Sequence, residues 1–363
     1  MTTAASEQMR PVTDLLGRMV RTEGVLGAAV AVVARGQLVL EHYTGLAAPR
    51  MTADSDTLWP LASISKLYTA AMIVKLIEQG ELTLSTRIET VLPRMKGEGR
   101  EKVTLRQLLT HTSGLIYESP VMPELMTKQT PLREIVDDAY DRQLVYAPGT
   151  DQIYSDLGYA LAGRTAATAT QSDFVDLVRD LVLEPCGLTN TYMPPPAEVA
   201  SRIAYVNGAF AEGTPGAMYN SDYARNLAHP AFGTIATLRD LIGFGLYFTP
   251  YSPHQLLSAA ALRSMVSDQT GGDFPGERVA KPQGVIHPWG LGFMIKARAG
   301  TPEFVSPESF GHAGASGCIL WIDPIQDVVI AFVSNRHYNL DPDGFFTRLD
   351  RVINVVMSSL TRR

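Results

Sequence analysis

Apolar residues near the start of the chain recur at helical spacing and then give way to two β-rich runs. Between positions 6 and 22 they stand as on one face of a helix, at Val12, Leu15, Leu16, Met19 and Val20. This spacing predicts an amphipathic helix. Runs rich in Val, Ala and Leu follow at residues 27–34 and 37–41, with a glycine turn between them, and they predict a hairpin.

The middle of the chain changes to helical patterns cut by loops. Residues 67–74 are mostly apolar and predict a buried helix that Gly80 ends. Helical patterns, separated by loops rich in Pro and Gly, continue to about residue 245. Residues 207–235 and 250–288 show little periodicity, which predicts long loops that wall or cover a pocket.

The last quarter of the chain returns to strands and then ends in a helix. The pattern predicts strands at 289–296, 317–322 and 328–333 and a helix at 345–360. This order favours an α+β fold, in which both ends of the chain build one antiparallel sheet around a mostly helical insert. We expect one domain from residues 1–62 and 280–363, a second from 63–279, and the active site in the cleft between them.

Composition excludes several classes of function. The chain has 363 residues, is 45% hydrophobic and carries a formal net charge of −6 without a basic stretch, so nucleic acid is not an expected partner. No apolar run reaches the about 18 residues of a membrane span, and the first residues lack a signal-peptide pattern. We therefore expect a cytoplasmic protein with a small-molecule substrate and no membrane partner; its oligomeric state stays open.

Metal and cofactor chemistry has no visible signature. The seven histidines show neither H-x-H nor H-E-x-x-H spacing, so no metal and no cofactor are expected. A G-x-S-x-G elbow of the α/β-hydrolases is also missing. Cys186 and Cys318 stand far apart and are expected to be small core residues rather than a disulfide framework.

Ser63 and Lys66 stand three residues apart at the start of the apolar helix. Residues i and i+3 share a helix face, so the hydroxyl and the amine lie side by side. A neighbouring base can turn a serine into a nucleophile, although S-x-x-K alone is common. Lys66 must also lose its proton part of the time, which requires a lowered pKa.

Two later segments supply the remaining parts of such a site. Tyr154 precedes a helix for which Ser155 is a plausible N-cap, and the positive end of that helix would favour a phenolate. Residues 311–317, with three glycines, lie between two predicted strands, where a backbone N–H could hold an oxyanion.

Taken together, Ser63-x-x-Lys66, Tyr154-Ser155-Asp156 and His312-Ala313-Gly314 resemble the serine β-lactamase and penicillin-binding-protein superfamily. The similarity is greatest to its class C β-lactamase-like branch, with the family VIII carboxylesterases, D-amino-acid peptidases and acyltransferases. It implies a β-lactamase/DD-peptidase-like fold and runs from about residue 27 to residue 335.

The resemblance also implies a role for each matching residue. Ser63 would be the acylated nucleophile, and Lys66 and Tyr154 its base and proton relay. The N–H groups of Ser63 and Ala315 would form the oxyanion hole. The substrate would be bound by Asp156, His312 and Gly314.

Two positions depart from the superfamily pattern. Asp156 replaces an Asn, and an ionised carboxylate beside Lys66 should raise the lysine pKa; Tyr154 would then carry more of the base role. His312 replaces a Lys, and a histidine that is only partly charged anchors a carboxylate less well. Both departures favour an ester or small-amide hydrolase over a cell-wall peptidase or a β-lactamase.

Several alternatives remain open. The same acyl-enzyme could serve an acyltransferase or cyclase, a β-lactamase, or a D-aminopeptidase-like enzyme, and a binding module without activity is a further possibility. Asp156 could merely stabilise its own helix. His111 is expected to brace its loop by hydrogen bonds, and Ser65 to pack or form a hydrogen bond.

Overall fold

The computed structural model describes residues 7–207, 217–252, 254–270, 288–296 and 302–361. Its first elements are the predicted helix and hairpin: α1 spans Arg10–Thr22, and β1 and β2 span Gly27–Ala34 and Gln37–Ala48. The apolar face of α1 is buried. The local pattern is therefore sufficient to predict these elements.

Within the described residues, strands from both ends of the chain form one sheet of seven strands, in the order β3-β2-β1-β10-β9-β8-β7. The pairs are antiparallel. The remaining strands of this sheet are β3 Met51–Thr52, β7 Met294–Ile295, β8 Phe310–Gly314, β9 Cys318–Asp323 and β10 Val328–Ser334. The predicted α+β architecture is confirmed.

A second, smaller sheet has the strand order β4-β6-β5. Its strands are β4 Trp59–Pro60, β5 Thr191–Tyr192 and β6 Ile235–Ala236. Two residues are too few for an alternating pattern, so the sequence gives no signal for this sheet. The sheet matters because β4 leads directly to Ser63.

Helices fill most of the insert and close the chain. After α1 they are α2 Ser65–Glu78, α3 Ile88–Val91, α4 Leu105–Leu109, α5 Met122–Thr127, α6 Leu132–Asp137, α7 Asp156–Thr170, α8 Phe174–Val178, α9 Asp222–Asn226, α10 Leu238–Leu246, α11 Ala259–Val266 and α12 Phe345–Leu360. No helix in these described ranges is long and apolar enough to cross a membrane.

Both faces of the large sheet are buried. Alternate residues of β1 point to opposite cores: Val30 and Val32 join the core under α1 and α12, whereas Ala29 and Ala31 join the core under α2 and α10. A strand covered on both faces is apolar throughout, which explains the continuous run of residues 27–34. Cys186 and Cys318 are free and buried, as expected.

Three local expectations are corrected. Within residues 289–296 only Met294 and Ile295 form a strand, because Gly290 and Phe293 pair their backbones across a turn. Residues 310–314 are themselves a strand, β8. Of the long loops predicted at 207–235 and 250–288, parts lie outside the described residues, and the rest contains α9 and α11. The two domain boundaries stay a prediction.

Candidate active site

Ser63 lies on a short 3₁₀ turn, Ala62–Ile64, that leads into α2. The preceding Ala62 has a φ of +47°, a conformation that residues with a side chain rarely adopt. The turn is held by Thr234, whose carbonyl accepts from the Leu61 N–H and whose N–H donates to Ser65 Oγ at 2.8 Å. Ser65 thus forms the hydrogen bond expected of it, and Ser63 is half-buried at the start of the helix.

Lys66 is fully buried one turn further on. Its Nζ lies 3.2 Å from Ser63 Oγ and 3.1 Å from the carbonyl oxygen of Ala231. A third contact joins Nζ to Asp156 Oδ1 at 2.5 Å. The buried amine therefore touches both the proposed nucleophile and a carboxylate.

Burial lowers the pKa of Lys66, and this effect outweighs Asp156 and Glu118, which both raise it. A buried ammonium loses its hydration, so the neutral amine is favoured. Asp156 lies beside Lys66 and raises the lysine pKa, as expected of a carboxylate at that position, but burial outweighs this effect and the net shift is downward. Lys66 is thus suited to accept the proton of Ser63.

Tyr154, the residue before the N-cap of α7, lies in the same cluster. Ser155 Oγ accepts from the Gly158 N–H at 2.9 Å, which confirms Ser155 as the N-cap. The Tyr154 ring centroid lies 4.6 Å from Lys66 Nζ. Burial and then Asp156 raise the pKa of Tyr154 well above its usual value, against a hydrogen bond with Ser63 that lowers it. The expected phenolate is therefore wrong: Tyr154 is held as a phenol.

Asp156 is buried in the first turn of α7. Its backbone N–H donates to the Tyr117 carbonyl at 2.8 Å, and its side chain contacts Lys66. Asp156 therefore does more than stabilise its own helix: its carboxylate contacts Lys66 Nζ and raises the lysine pKa.

The end of β8 packs against the turn that carries Ser63. A Cβ placed on Gly314 would lie 2.2 Å from the Leu61 carbonyl oxygen and 3.5 Å from the Ala62 Cβ. Only a glycine permits this approach. Ala315 follows directly after this contact, as Ser63 follows Ala62, so the two residues named for the oxyanion hole are neighbours in space. Their role in holding the oxyanion stays a prediction, as does substrate binding by Gly314.

His312 is buried on β8, 2% exposed. Its Nδ1 contacts the Ala313 carbonyl at 2.6 Å, so this nitrogen donates. Burial, followed by repulsion from Lys66, lowers the pKa of His312 to about 3. The expected partial charge at neutral pH is therefore wrong, and the imidazole is neutral.

Sequence reasoning missed Glu118. This half-buried side chain follows Tyr117, whose carbonyl accepts from Asp156. Burial, followed by the Asp156 charge, raises the pKa of Glu118 to about 8, while Lys66 lowers it. No motif marks Glu118, because its closeness to Lys66 arises only when residues 116–118 pack against α7.

Trp289 is buried beside the site. Its ring lies 5.9 Å from that of Tyr154 and 5.7 Å from that of His312. The site therefore has an aromatic wall behind the Ser63, Lys66 and Tyr154 cluster. All the residues singled out from the three motifs converge here.

Comparison with known proteins agrees with this geometry. A family model described as Beta-lactamase matches residues 12–353. A curated relative, penicillin-binding protein 4 of Amycolatopsis lactamdurans, is 29% identical over 350 residues, which cover 91% of this chain and 86% of the relative.

Two solved structures share the fold. One, "EstCE1, a hydrolase with promiscuous acyltransferase activity", superposes with a TM-score of 0.79 at 18% identity, over 97% of this chain and 100% of its own. The other, the D-amino acid amidase of Ochrobactrum anthropi SV3 in complex with L-phenylalanine amide, has a TM-score of 0.74 at 22% identity, over 98% and 100%.

Proposed function

We propose, on the premise that this chain belongs to the beta-lactamase family, that it is a serine hydrolase of neutral carboxylic esters or small amides. One observation carries the proposal: the buried Lys66 Nζ lies 3.2 Å from Ser63 Oγ. A neutral amine at this distance is a general base for the hydroxyl.

Acylation uses the two groups that contact Ser63. Its Oγ attacks the carbonyl carbon of the substrate while its proton moves to Lys66 Nζ. The bond between that carbon and the leaving oxygen or nitrogen then breaks. The leaving group takes a proton through Tyr154, whose raised pKa keeps it a phenol, and the acyl group stays on Ser63.

Deacylation reverses the proton path. A water molecule attacks the acyl carbon and gives its proton to Lys66 Nζ. The bond from the acyl carbon to Ser63 Oγ breaks, Ser63 regains its proton, and a carboxylic acid is released. Backbone N–H groups at Ser63 and Ala315 would stabilise the oxyanion in both steps.

The charges around Ser63 favour neutral substrates. Lys66 is paired with Asp156 at 2.5 Å, and His312 is neutral because its pKa is lowered to about 3. Neither group offers a free positive charge to a substrate carboxylate. Esters and small amides without a carboxylate therefore fit better than β-lactam antibiotics or cell-wall peptides.

A direct test combines turnover with adduct mass. We expect hydrolysis of p-nitrophenyl acetate and butyrate, and an acyl adduct on the intact protein. Ser63→Ala should abolish both, whereas Ser172→Ala, at an exposed position after α7, should keep both. Full turnover by Ser63→Ala would overturn the proposal. A preference for benzylpenicillin over the esters would overturn the substrate class.

Acyl transfer is a second candidate. Tyr117 is 40% exposed and stacks on Tyr154 with a centroid distance of 6.1 Å, which gives an alcohol or amine acceptor an apolar surface beside the nucleophile. Product analysis separates the two reactions: a transfer product that grows with acceptor concentration supports transfer, and an unchanged acid yield supports hydrolysis.

A further inference from the structure

His111 binds the backbone on both sides of Tyr154. The Ile153 N–H donates to the His111 carbonyl oxygen at 2.9 Å. The Ser155 N–H donates to His111 Nδ1 at 3.0 Å. His111 therefore holds the residues on both sides of Tyr154, Ile153 through its carbonyl oxygen and Ser155 through its imidazole. This leaves the Tyr154 backbone little freedom.

The His111 ring also limits the movement of the phenol ring. The two ring centroids are 4.3 Å apart, with an angle of 30° between the planes. Trp289 meets the His111 ring edge-on, at 4.7 Å and 82°. His111 is thus packed between Tyr154 and Trp289, and it is 1% exposed.

Two features of His111 are unfavourable for a residue that only braces a loop. Its φ is +62°, a region that costs free energy for most side chains. Because Nδ1 accepts from Ser155, the ring proton is on Nε2, and this buried atom has no hydrogen-bond partner among the residues that the structure describes. An asparagine would satisfy the same backbone N–H with less strain.

We infer that His111 is a positioning residue that aims the Tyr154 phenol at Ser63 and the leaving group. The inference rests on the proposed function, because it assigns Tyr154 the proton transfer to the leaving group. A phenol displaced by a fraction of an ångström transfers a proton less efficiently. The ring contact, rather than the loop bond alone, is what the reaction requires.

His111→Asn separates these two contributions. Its Oδ1 can take the place of Nδ1 and keep the bond from Ser155, and asparagine tolerates a positive φ, but the ring is lost. We expect an unchanged melting temperature, an unchanged KM and a fall in kcat of about 10-fold for alkyl esters and amides.

The leaving group provides the decisive readout. p-Nitrophenolate departs without a proton, so the loss of kcat on p-nitrophenyl acetate should be no more than about 2-fold. In the Tyr154→Phe background, His111→Asn should not lower kcat on alkyl esters any further, because the phenol that His111 positions is already absent. An equal loss on both leaving groups, or additive effects in the double variant, would overturn the inference.

A milder variant covers the case in which His111→Asn fails to fold. Tyr146 Oη donates to the His111 carbonyl at 3.1 Å, so Tyr146→Phe loosens His111 without replacing it. We expect the same leaving-group dependence at smaller size, and its absence would contradict the inference. Ser63→Ala run in parallel distinguishes the failures: if it stays active, the proposed function fails, and if only the His111 effects are absent, the inference alone fails.

Discussion

At the scale of single residues, the chemistry of the site depends on the pKa of Lys66, on which burial and two acids have opposite effects. Burial favours its neutral form, and Asp156 and Glu118 oppose burial. The opposite holds for Tyr154, whose pKa is raised by burial and by the Asp156 charge. The same surroundings therefore lower the pKa of Lys66 and raise the pKa of Tyr154.

Lys66→Ala should cost more activity than Tyr154→Phe. Burial lowers the pKa of the amine and raises the pKa of the phenol, so the amine is the better proton acceptor of the two groups. We expect losses in kcat/KM of about 1,000-fold for the lysine variant and about 100-fold for the tyrosine variant with an alkyl ester. Lys75→Ala, on the same helix, is the control and should retain activity. A larger loss for Tyr154→Phe would return the base role to Tyr154.

Asp156→Asn should move the acid side of the pH profile. Asp156 raises the pKa of Lys66, so removing its charge lowers that pKa further. The neutral amine then persists to lower pH, and the rise of kcat/KM with pH should begin at lower pH. Asp222→Asn, an exposed first-turn acid of α9, should leave the profile unchanged. A shift toward higher pH in Asp156→Asn would contradict this assignment.

Glu118→Gln should change the alkaline side of the pH profile of kcat/KM. The pKa of Glu118 is raised to about 8, so the carboxyl is neutral below that pH and charged above it. Its charge raises the pKa of Lys66, so above pH about 8 it holds back the rise of kcat/KM with pH in the natural protein. The glutamine variant should rise without this delay; identical profiles would mean that Glu118 does not control Lys66.

At the scale of elements, catalysis depends on two backbones that meet. The end of β8 reaches the Ala62–Ile64 turn only because Gly314 lacks a side chain. The Thr234 backbone holds the other side of the turn through Leu61 and Ser65. The position of Ser63 is therefore set jointly by the large sheet and the small one.

Gly314→Ala should separate these elements. The added Cβ would lie 2.2 Å from the Leu61 carbonyl oxygen, so β8 or the turn must shift, at a cost of about 2 kcal/mol in unfolding free energy. Acyl-enzyme formation should fall at least about 10-fold if the N–H groups of Ser63 and Ala315 hold the oxyanion, because the shift moves them apart. Gly80→Ala is the control: its Cβ meets nothing within 4 Å, so only φ strain should lower stability, with acylation unchanged. Normal acylation by Gly314→Ala would argue against the oxyanion hole.

At the scale of the whole molecule, the sheet joins the two ends of the chain. β1 pairs with β10 from Ala28↔Ser334 to Ala34↔Val328, and α1 and α12 cover the same face. The strand that ends at Gly314 belongs to this sheet. A substitution that destabilises α1 or α12 should therefore disturb the position of Ser63 through the sheet.

Val352→Asp tests this connection. Val352 is fully buried under the sheet, and a carboxylate there should cost about 3 kcal/mol or more in unfolding free energy. We expect a lower melting temperature and a smaller fraction of protein that forms the acyl adduct. Val355→Asp, a half-buried position on the same helix, should cost much less. Equal stability of the two variants would show that α12 contributes little.

Local patterns in the sequence were sufficient for the hairpin, the helices α1, α2 and α12, the α+β class and the cap at Ser155. Each of these depends on neighbouring residues in the chain and on the periodicity of burial. The motif residues Ser63, Lys66 and Tyr154 were identified by the order and spacing of three motifs and by the resemblance to a known superfamily. The two-residue strands and β8 were not predicted, because strands this short or this glycine-rich carry no alternating pattern.

Tertiary structure alone decided the chemistry of the site. The sequence by itself determined which residues carry a hydroxyl, an amine, a phenol and a carboxylate. It did not determine that burial outweighs Asp156 at Lys66, that His312 is neutral, or that Glu118 and His111 lie beside Lys66 and Tyr154. The physical reason is that desolvation and electrostatic interactions depend on distances through space, which exist only after segments remote in the chain have packed together.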